Sequence, residues 1–143
     1  GVNKDYCLAK KWFIEAAEHN DTESMYSVAV LYKNGECVDK SVWESFLWYT
    51  KAAELGHSES QFVLGYLYFQ GDIVEKDYIK AMRWFKAAAD LGNTESQVNV
   101  GVMYLKGFGV KVSLIKARKW FSKAANRGSI KAVELVEYID TIV

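Results

Sequence analysis

Proline is absent from the 143-residue sequence. Because proline removes a backbone hydrogen-bond donor and kinks helices, its absence permits uninterrupted helices and excludes a proline-rich linker. Long apolar runs are missing as well, since no stretch approaches the roughly 18 apolar residues of a membrane span. The sequence opens without a signal peptide, which favours a cytoplasmic protein, but its first residues look like the middle of a repeat, as in an excerpt of a longer chain.

An excess of either charge is also lacking, because 18 basic and 18 acidic side chains give a formal net charge of zero. Such a balance argues against nucleic acid as the general partner. The charges are nevertheless unevenly distributed. The segment from Ser96 to Val133 has eight basic residues and no acidic one, so the rest of the chain has an excess of eight negative charges.

What the sequence does contain is one pattern written four times. A tryptophan and a second aromatic residue are followed, at the same offset, by two alanines, and the tryptophans lie 36 residues apart at Trp12, Trp48, Trp84 and Trp120. A glycine closes three of the copies, and Asn20, which tolerates a left-handed backbone better than most residues, closes the first. A fixed period in this range is typical of an all-α solenoid in which helix pairs stack on one another.

The period predicts a single array over residues 1–143. It consists of a partial unit 1–20, full units 21–56, 57–92 and 93–128, and a terminal helix 129–143. Apolar and small residues at helical spacing predict two helices in each full unit. The predicted helices are 5–19, 22–34, 40–55, 58–70, 77–91, 94–106, 113–127 and 130–140.

Helix ends and helix contacts follow from the same pattern. Asp5, Ser41, Asp77 and Ser113 are predicted N-caps of the helices that carry tryptophan. Ser58 with Gln61 and Thr94 with Gln97 read as capping boxes of the other helices. Gly65 and Gly101 lie inside helices, where glycine costs roughly 1 kcal/mol relative to alanine, so we expect a neighbouring helix to approach closely there, with the alanine pair as the matching surface.

The last helix departs from the repeat. Glu137 stands where earlier copies have glycine, and Asp140 stands where they have tyrosine. Because a charged residue tolerates burial poorly, we expect helix 130–140 to be a terminal cap with its outer face in water. The alternative is a chain cut before its partner helix.

The two cysteines, Cys7 and Cys37, occupy different phases of the repeat. A disulfide framework would recur with the period, so we predict two free thiols, in keeping with a reducing compartment.

Three stretches carry a family resemblance, and together with their copies they span essentially the whole chain. They are Leu64-Gly65-x-x-Tyr68-x-x-Gly71, the loop Gly107-Phe108-Gly109-Val110, and Asp77-x-x-Lys80-Ala81-x-x-Trp84-Phe85-x-x-Ala88-Ala89-x-x-Gly92. The sequence resembles the Sel1-like repeat, a 36-residue relative of the tetratricopeptide repeat. The resemblance implies a right-handed α-α superhelix that acts as a non-catalytic scaffold or adaptor for protein–protein interaction. Some cysteine-rich relatives are proposed to bind or hydrolyse β-lactams, but this chain lacks their periodic cysteines.

No catalytic constellation is visible in the sequence. His19 and His57 are far apart and are expected in surface loops, and neither cysteine has a neighbouring base. We therefore expect no enzyme activity, cofactor, metal ion or small-molecule substrate, and a monomer that binds a protein or peptide.

Positions that vary between copies are free to recognise a partner. By resemblance to tetratricopeptide arrays, the first helix of each unit lines a concave face, and aromatic side chains there are the type that dominates binding. The alternative is that Phe62 and Phe69 only fill gaps between helices. The predicted partner-binding residues are Tyr26, Val30, Phe62, Val63, Tyr66, Phe69, Asn99, Val102 and Lys106.

A second hypothesis is electrostatic. Within the basic segment 106–131, five side chains project within about 160° of one another on or beside helix 113–127. They are Lys111, Lys116, Lys119, Lys123 and Arg127. A solvated outer face is the simpler interpretation, whereas docking to an acidic protein, a membrane or a nucleic-acid surface is the more specific one.

Overall fold

The computed structural model describes residues 4–143, which form eight α-helices and no β-strand. The helices are α1 (Lys4–Glu18), α2 (Thr22–Asn34), α3 (Val42–Glu54), α4 (Ser58–Gln70), α5 (Tyr78–Asp90), α6 (Thr94–Lys106), α7 (Leu114–Asn126) and α8 (Ile130–Ile142). The predicted all-α class is confirmed, and every predicted helix exists with ends within two residues. The chain divides into two compact units, residues 1–64 and 65–143, and the division falls inside α4.

Three of the four predicted N-caps of the tryptophan-bearing helices are confirmed. The side chains of Ser41, Asp77 and Ser113 accept hydrogen bonds from backbone N–H groups three residues further on. The prediction for Asp5 is wrong, because α1 already begins at Lys4 and places Asp5 in its first turn. Asn20 has a φ of +65°, so it does adopt the left-handed conformation that the sequence required of it.

The capping boxes predicted at Ser58 and Thr94 are wrong by one residue. Asn93 caps α6, because its side chain accepts from the N–H of Ser96. The glutamine does not reach back to the cap. Instead Gln97 Nε2 donates to the carbonyl of Ala89 at 3.1 Å, and Gln61 Nε2 donates to Ala53 at the same distance. Each glutamine thereby ties its helix to the end of the preceding one.

In the first unit, the core lies where α1, α2 and α3 meet. Its fully buried residues are Ala17, Met25, Val28 and Ala52, and half-buried Phe13, Ile14, Tyr32 and Trp48 pack around them. Trp48 of the repeated pattern is therefore a packing residue, as expected of a position that recurs with the period, whereas Trp12 of the first copy is exposed.

In the second unit, a buried cluster joins α6, α7 and α8, and we call it the α6–α8 core. Its members are Val98, Ala117, Phe121, Ala124, Ala132 and Ile139. The predicted close approach at glycine is confirmed, but its partner is an aromatic ring rather than the alanine pair. A methyl group on Gly101 would lie 2.5 Å from Cε1 of Phe121, and one on Gly65 would lie 2.5 Å from Cδ1 of Phe85.

The prediction of free thiols is wrong. Cys7 in α1 and Cys37 in the loop after α2 form a disulfide, with their Cα atoms 5.3 Å apart and a separation of 30 positions in sequence. The argument from repeat phase failed because a disulfide needs only that one pair of residues be close. Since α1 packs against α2 within the first unit, the loop that follows α2 comes back beside α1.

Candidate functional site

Tyr26 is a predicted partner-binding residue of the first unit that packs against two other rings. It is half-buried on α2, and its ring lies 5.5 Å from the ring of Tyr49 and 5.3 Å from that of His57. Burial raises the pKa of Tyr26, and the carboxylates of Glu59 and Glu23 raise it further. Burial also raises the pKa of Tyr49, to about 12. Both phenols are therefore neutral at physiological pH. Tyr49 is buried and hydrogen-bonded to Ser45, so Tyr26 is the one of the two that a partner can reach.

The other predicted residues of the first unit are less accessible than the sequence pattern suggested. Val30 on α2 and Phe62 and Val63 on α4 are all half-buried. Each can present part of its side chain to a partner, and each also contributes to packing. The alternative that Phe62 fills a gap between helices therefore stays open.

His57 contradicts the expectation of a surface loop residue, because it is only 9% exposed. Its Nδ1 accepts a hydrogen bond from the backbone N–H of Ser60 at 3.2 Å, and its Nε2 lies 3.0 Å from Oε1 of Glu23. An Nδ1 that accepts leaves the proton on Nε2, which then donates to the carboxylate. The period contained the signal that sequence reading missed, since His57 stands at the same repeat position as Asp21 and Asn93, which cap α2 and α6.

A serine, a histidine and a glutamate in contact invite comparison with a hydrolytic triad. Ser60 Oγ lies 2.9 Å from Nδ1 of His57, but Ser60 is completely buried. A nucleophile must reach its substrate, and the base must be positioned to take the hydroxyl proton. Here Nδ1 is already used to cap a helix, and Oγ is closed off from solvent. The cluster therefore stabilises the start of α4.

In the second unit, Tyr66 and Phe69 of α4 lie in different environments. Tyr66 is 49% exposed. Phe69 is half-buried among aromatic rings, 5.1 Å from Tyr78 and 5.4 Å from Phe108, which themselves lie 5.0 Å apart. Phe69 thus fixes the loop that contains Phe108 against α5, whereas Tyr66 presents a large part of its ring to solvent.

On α6 the predicted residues also differ from one another. Lys106 is exposed, and Asn99 is half-buried. Val102 packs against the α6–α8 core, so a position that varies between copies still contributes to packing here.

The five residues of the predicted basic face are all exposed. Three of them already contact the protein itself. Lys116 Nζ lies 5.4 Å from the ring centre of Tyr104, and Lys123 Nζ lies 4.3 Å from that of Trp120. The guanidinium of Arg127 covers Gly92, where a methyl group would lie 2.8 Å from Nη2. Lys111 and Lys119 are the remaining two members.

Within residues 4–143, no group of three or more His, Cys, Asp or Glu side chains is arranged to hold a metal ion. The same part of the chain has no helix with the length and apolar character needed to cross a membrane.

Comparison with protein families gives a match over most of the sequence. A model of the Sel1 repeat matches residues 1–21, 22–57, 58–93 and 94–129. Curated protein sequences gave no significant match.

Solved structures are similar over almost the whole chain. A Sel1 repeat protein from Oxalobacter formigenes has 29% identity over 95% of this chain and 56% of its own, with a TM-score of 0.87. A protective antigen present in uropathogenic Escherichia coli strains, displaying an SLR fold, has 35% identity over 96% of this chain and 29% of its own, with a TM-score of 0.88. The cysteine-rich protein B of Helicobacter pylori has 29% identity over 94% of this chain and 97% of its own, with a TM-score of 0.72. The chain therefore spans about half of the first of these proteins and less than a third of the second.

Proposed function

Because the chain belongs to the Sel1 repeat family, whose members generally serve as non-enzymatic scaffolds for protein–protein interaction, we propose that it binds a peptide or protein partner. Each unit offers its own surface for this, on α2 in the first unit and on the end of α4 and on α6 in the second. The alternative class, an enzyme, has little support among the described residues. The one cluster that resembles a triad has a buried serine and serves as a helix cap.

The observation that supports this proposal most is the exposure of Tyr66. It is an aromatic side chain at a position that differs between copies, and it is 49% exposed. Aromatic side chains that are exposed in the free protein and buried in the complex contribute most to many interfaces. In the same unit, Asn99 adds a hydrogen-bonding amide and Lys106 adds a positive charge.

The first unit offers a second surface of similar character. Tyr26 is half-buried and neutral, and it lies close enough to Glu23 and Glu59 to feel their charges. A partner that contacts this unit would therefore meet an aromatic ring bordered by carboxylates. Such a surface favours basic side chains, because cations are attracted both to carboxylates and to aromatic faces.

The test compares two exposed side chains of the second unit. A peptide selected from a displayed library against the intact protein provides the probe, and its affinity is measured for Tyr66→Ala and for the matched control Ile79→Ala. Ile79 is 73% exposed on α5, outside the proposed helices. Truncating a central aromatic anchor costs about 2 kcal/mol or more, so Tyr66→Ala should weaken binding about thirtyfold while Ile79→Ala leaves it unchanged.

The electrostatic alternative is tested on the same peptide. Lys119→Glu together with Lys123→Glu should have a much smaller effect than Tyr66→Ala, and both variants should keep the helical content of the wild type. If charge reversal abolishes binding and Tyr66→Ala does not, the site lies on the basic face and the proposed surface is wrong. Steep loss of binding between low and moderate salt would lead to the same conclusion.

A further inference from the structure

A covalent bond links the beginning of α1 to the loop after α2. Among the side chains that the structure describes between Asp5 and Ala16, none is buried, and Ala17 is the first that is. Leu8 is 57% exposed and Trp12 is 71% exposed. Few buried apolar side chains mean low local stability, and the Cys7–Cys37 disulfide adds a covalent link between the first turns of α1 and the loop after α2.

The loop at the other end of the disulfide is also constrained. Cys37 has a φ of +59°, which is unfavourable for a residue with a side chain. Gly109, at the same repeat position, has a φ of +67° and is a glycine. The carbonyl oxygen of Cys37 accepts a hydrogen bond from Lys10 Nζ at 2.9 Å. The disulfide and Lys10 together keep this loop against α1.

Cys37 is half-buried and lies at an open cavity. It lines an open cavity of about 650 Å³ together with Lys10, Tyr32, Gly35, Val38 and Asp39. The attacking species in thiol–disulfide exchange is a thiolate, and a neighbouring ammonium group attracts an anion. Lys10 supplies such a group next to Cys37, since its Nζ donates to the carbonyl oxygen of Cys37, and Asp39 places a carboxylate on the same wall of the cavity.

We propose that the Cys7–Cys37 disulfide is a thiol–disulfide exchange site, at which an anionic thiol of low molecular mass enters this cavity and attacks Sγ of Cys37. The new bond joins the incoming sulfur to Sγ of Cys37, the disulfide breaks, and Cys7 leaves as a thiolate that takes a proton from solvent. A second thiolate attacks the mixed disulfide, forms the oxidised disulfide of the reagent and releases Cys37. The two thiols supply the two electrons that reduce the disulfide. The first turns of α1 are then no longer linked to the loop.

Exchange is measured with glutathione on the intact, folded protein. Samples are quenched in acid, and peptide mass spectrometry locates the adduct while hydrogen exchange reports on α1. We expect glutathione on Cys37, a free thiol at Cys7, and loss of amide protection in α1 that does not extend to α6 or α7. An adduct on Cys7 would show that the attacked sulfur is not that of Cys37 and would overturn the assigned site. Exchange only under conditions that unfold the whole protein would show that the disulfide is purely structural.

The role of Lys10 is tested by the charge of the reagent. Glutathione is anionic and cysteamine is cationic, so the ratio of their exchange rates reports on the local charge even if a variant loosens the loop. Lys10→Ala should lower this ratio severalfold, and the matched control Lys11→Ala, an exposed neighbour that does not line the cavity, should leave it unchanged. Equal ratios in the two variants would contradict the assignment of Lys10.

A doubly substituted Cys7→Ser, Cys37→Ser protein should show the unprotected α1 without any reagent. If α1 keeps its protection there, the disulfide does not hold the helix.

Discussion

Gly101→Ala tests the close approach between α6 and α7. A methyl group at this position would lie 2.5 and 2.6 Å from two ring carbons of Phe121, whereas ordinary carbon contacts are about 3.5–4 Å. Phe121 is completely buried in the α6–α8 core, so its ring must displace other core side chains to make room. Overpacking of this kind costs about 1–3 kcal/mol, and the better helix propensity of alanine returns about 1 kcal/mol.

The expected net result is a loss of up to about 2 kcal/mol for Gly101→Ala, and of about 2–4 kcal/mol for Gly101→Leu. Urea unfolding followed by circular dichroism measures both values. A double-mutant cycle isolates the cause, because Phe121→Leu removes part of the ring that the methyl group meets. In that background Gly101→Ala should become neutral or stabilising, with a coupling of about 0.5–3 kcal/mol. If Gly101→Ala stabilises the wild type by about 1 kcal/mol and shows no coupling, the two helices do not approach closely at this point.

Two further predictions concern helix caps in the first unit. His57→Ala should lower the free energy of unfolding in urea by about 1 kcal/mol, because the N–H of Ser60 loses its acceptor. His57→Asn should cost little, since asparagine caps α6 at the same repeat position. Equal losses in the two variants would show that His57 does not act as a cap. Hydrogen bonds from the hydroxyl and N–H of Ser24 lower the pKa of Asp21 below its ordinary value. The stability that this cap contributes is therefore fully present above the pKa of an unfolded aspartate. It is lost as the pH falls through the lowered pKa of the folded state. Unfolding measured across acid pH should show this decline in the wild type and a weaker one in Asp21→Asn, and identical profiles would exclude the contribution.

The helices could be predicted because each copy of the repeat has the same caps, turns and core positions at the same offsets. Ser41, Asp77 and Ser113 could be identified as caps since each precedes the same block at the same offset. The left-handed conformation of Asn20 followed from its alignment with three glycines. The core faces of the tryptophan-bearing helices followed from the same alignment.

Features that occur only once could not be predicted in this way. The disulfide between Cys7 and Cys37 is a contact between different repeat positions, and a periodic pattern has no information about it. The packing of Val102 against the α6–α8 core depends on the neighbours of a single copy. His57 was misread for a different reason, because histidine is rarely a helix cap and its alignment with Asp21 and Asn93 was given too little weight.

The contact between Arg127 and Gly92 has a consequence for anyone who would shuffle or redesign the repeats. The guanidinium occupies the volume where a side chain at position 92 would begin, so a side chain there would displace this end of Arg127. At the equivalent positions of the first unit, Asn20 replaces the glycine and the shorter Leu55 replaces the arginine. These two residues line the same open cavity of about 410 Å³. A chimera that placed asparagine at position 92 while it kept Arg127 would have to move the guanidinium away from its present position. The four copies share a pattern, yet they are not interchangeable modules.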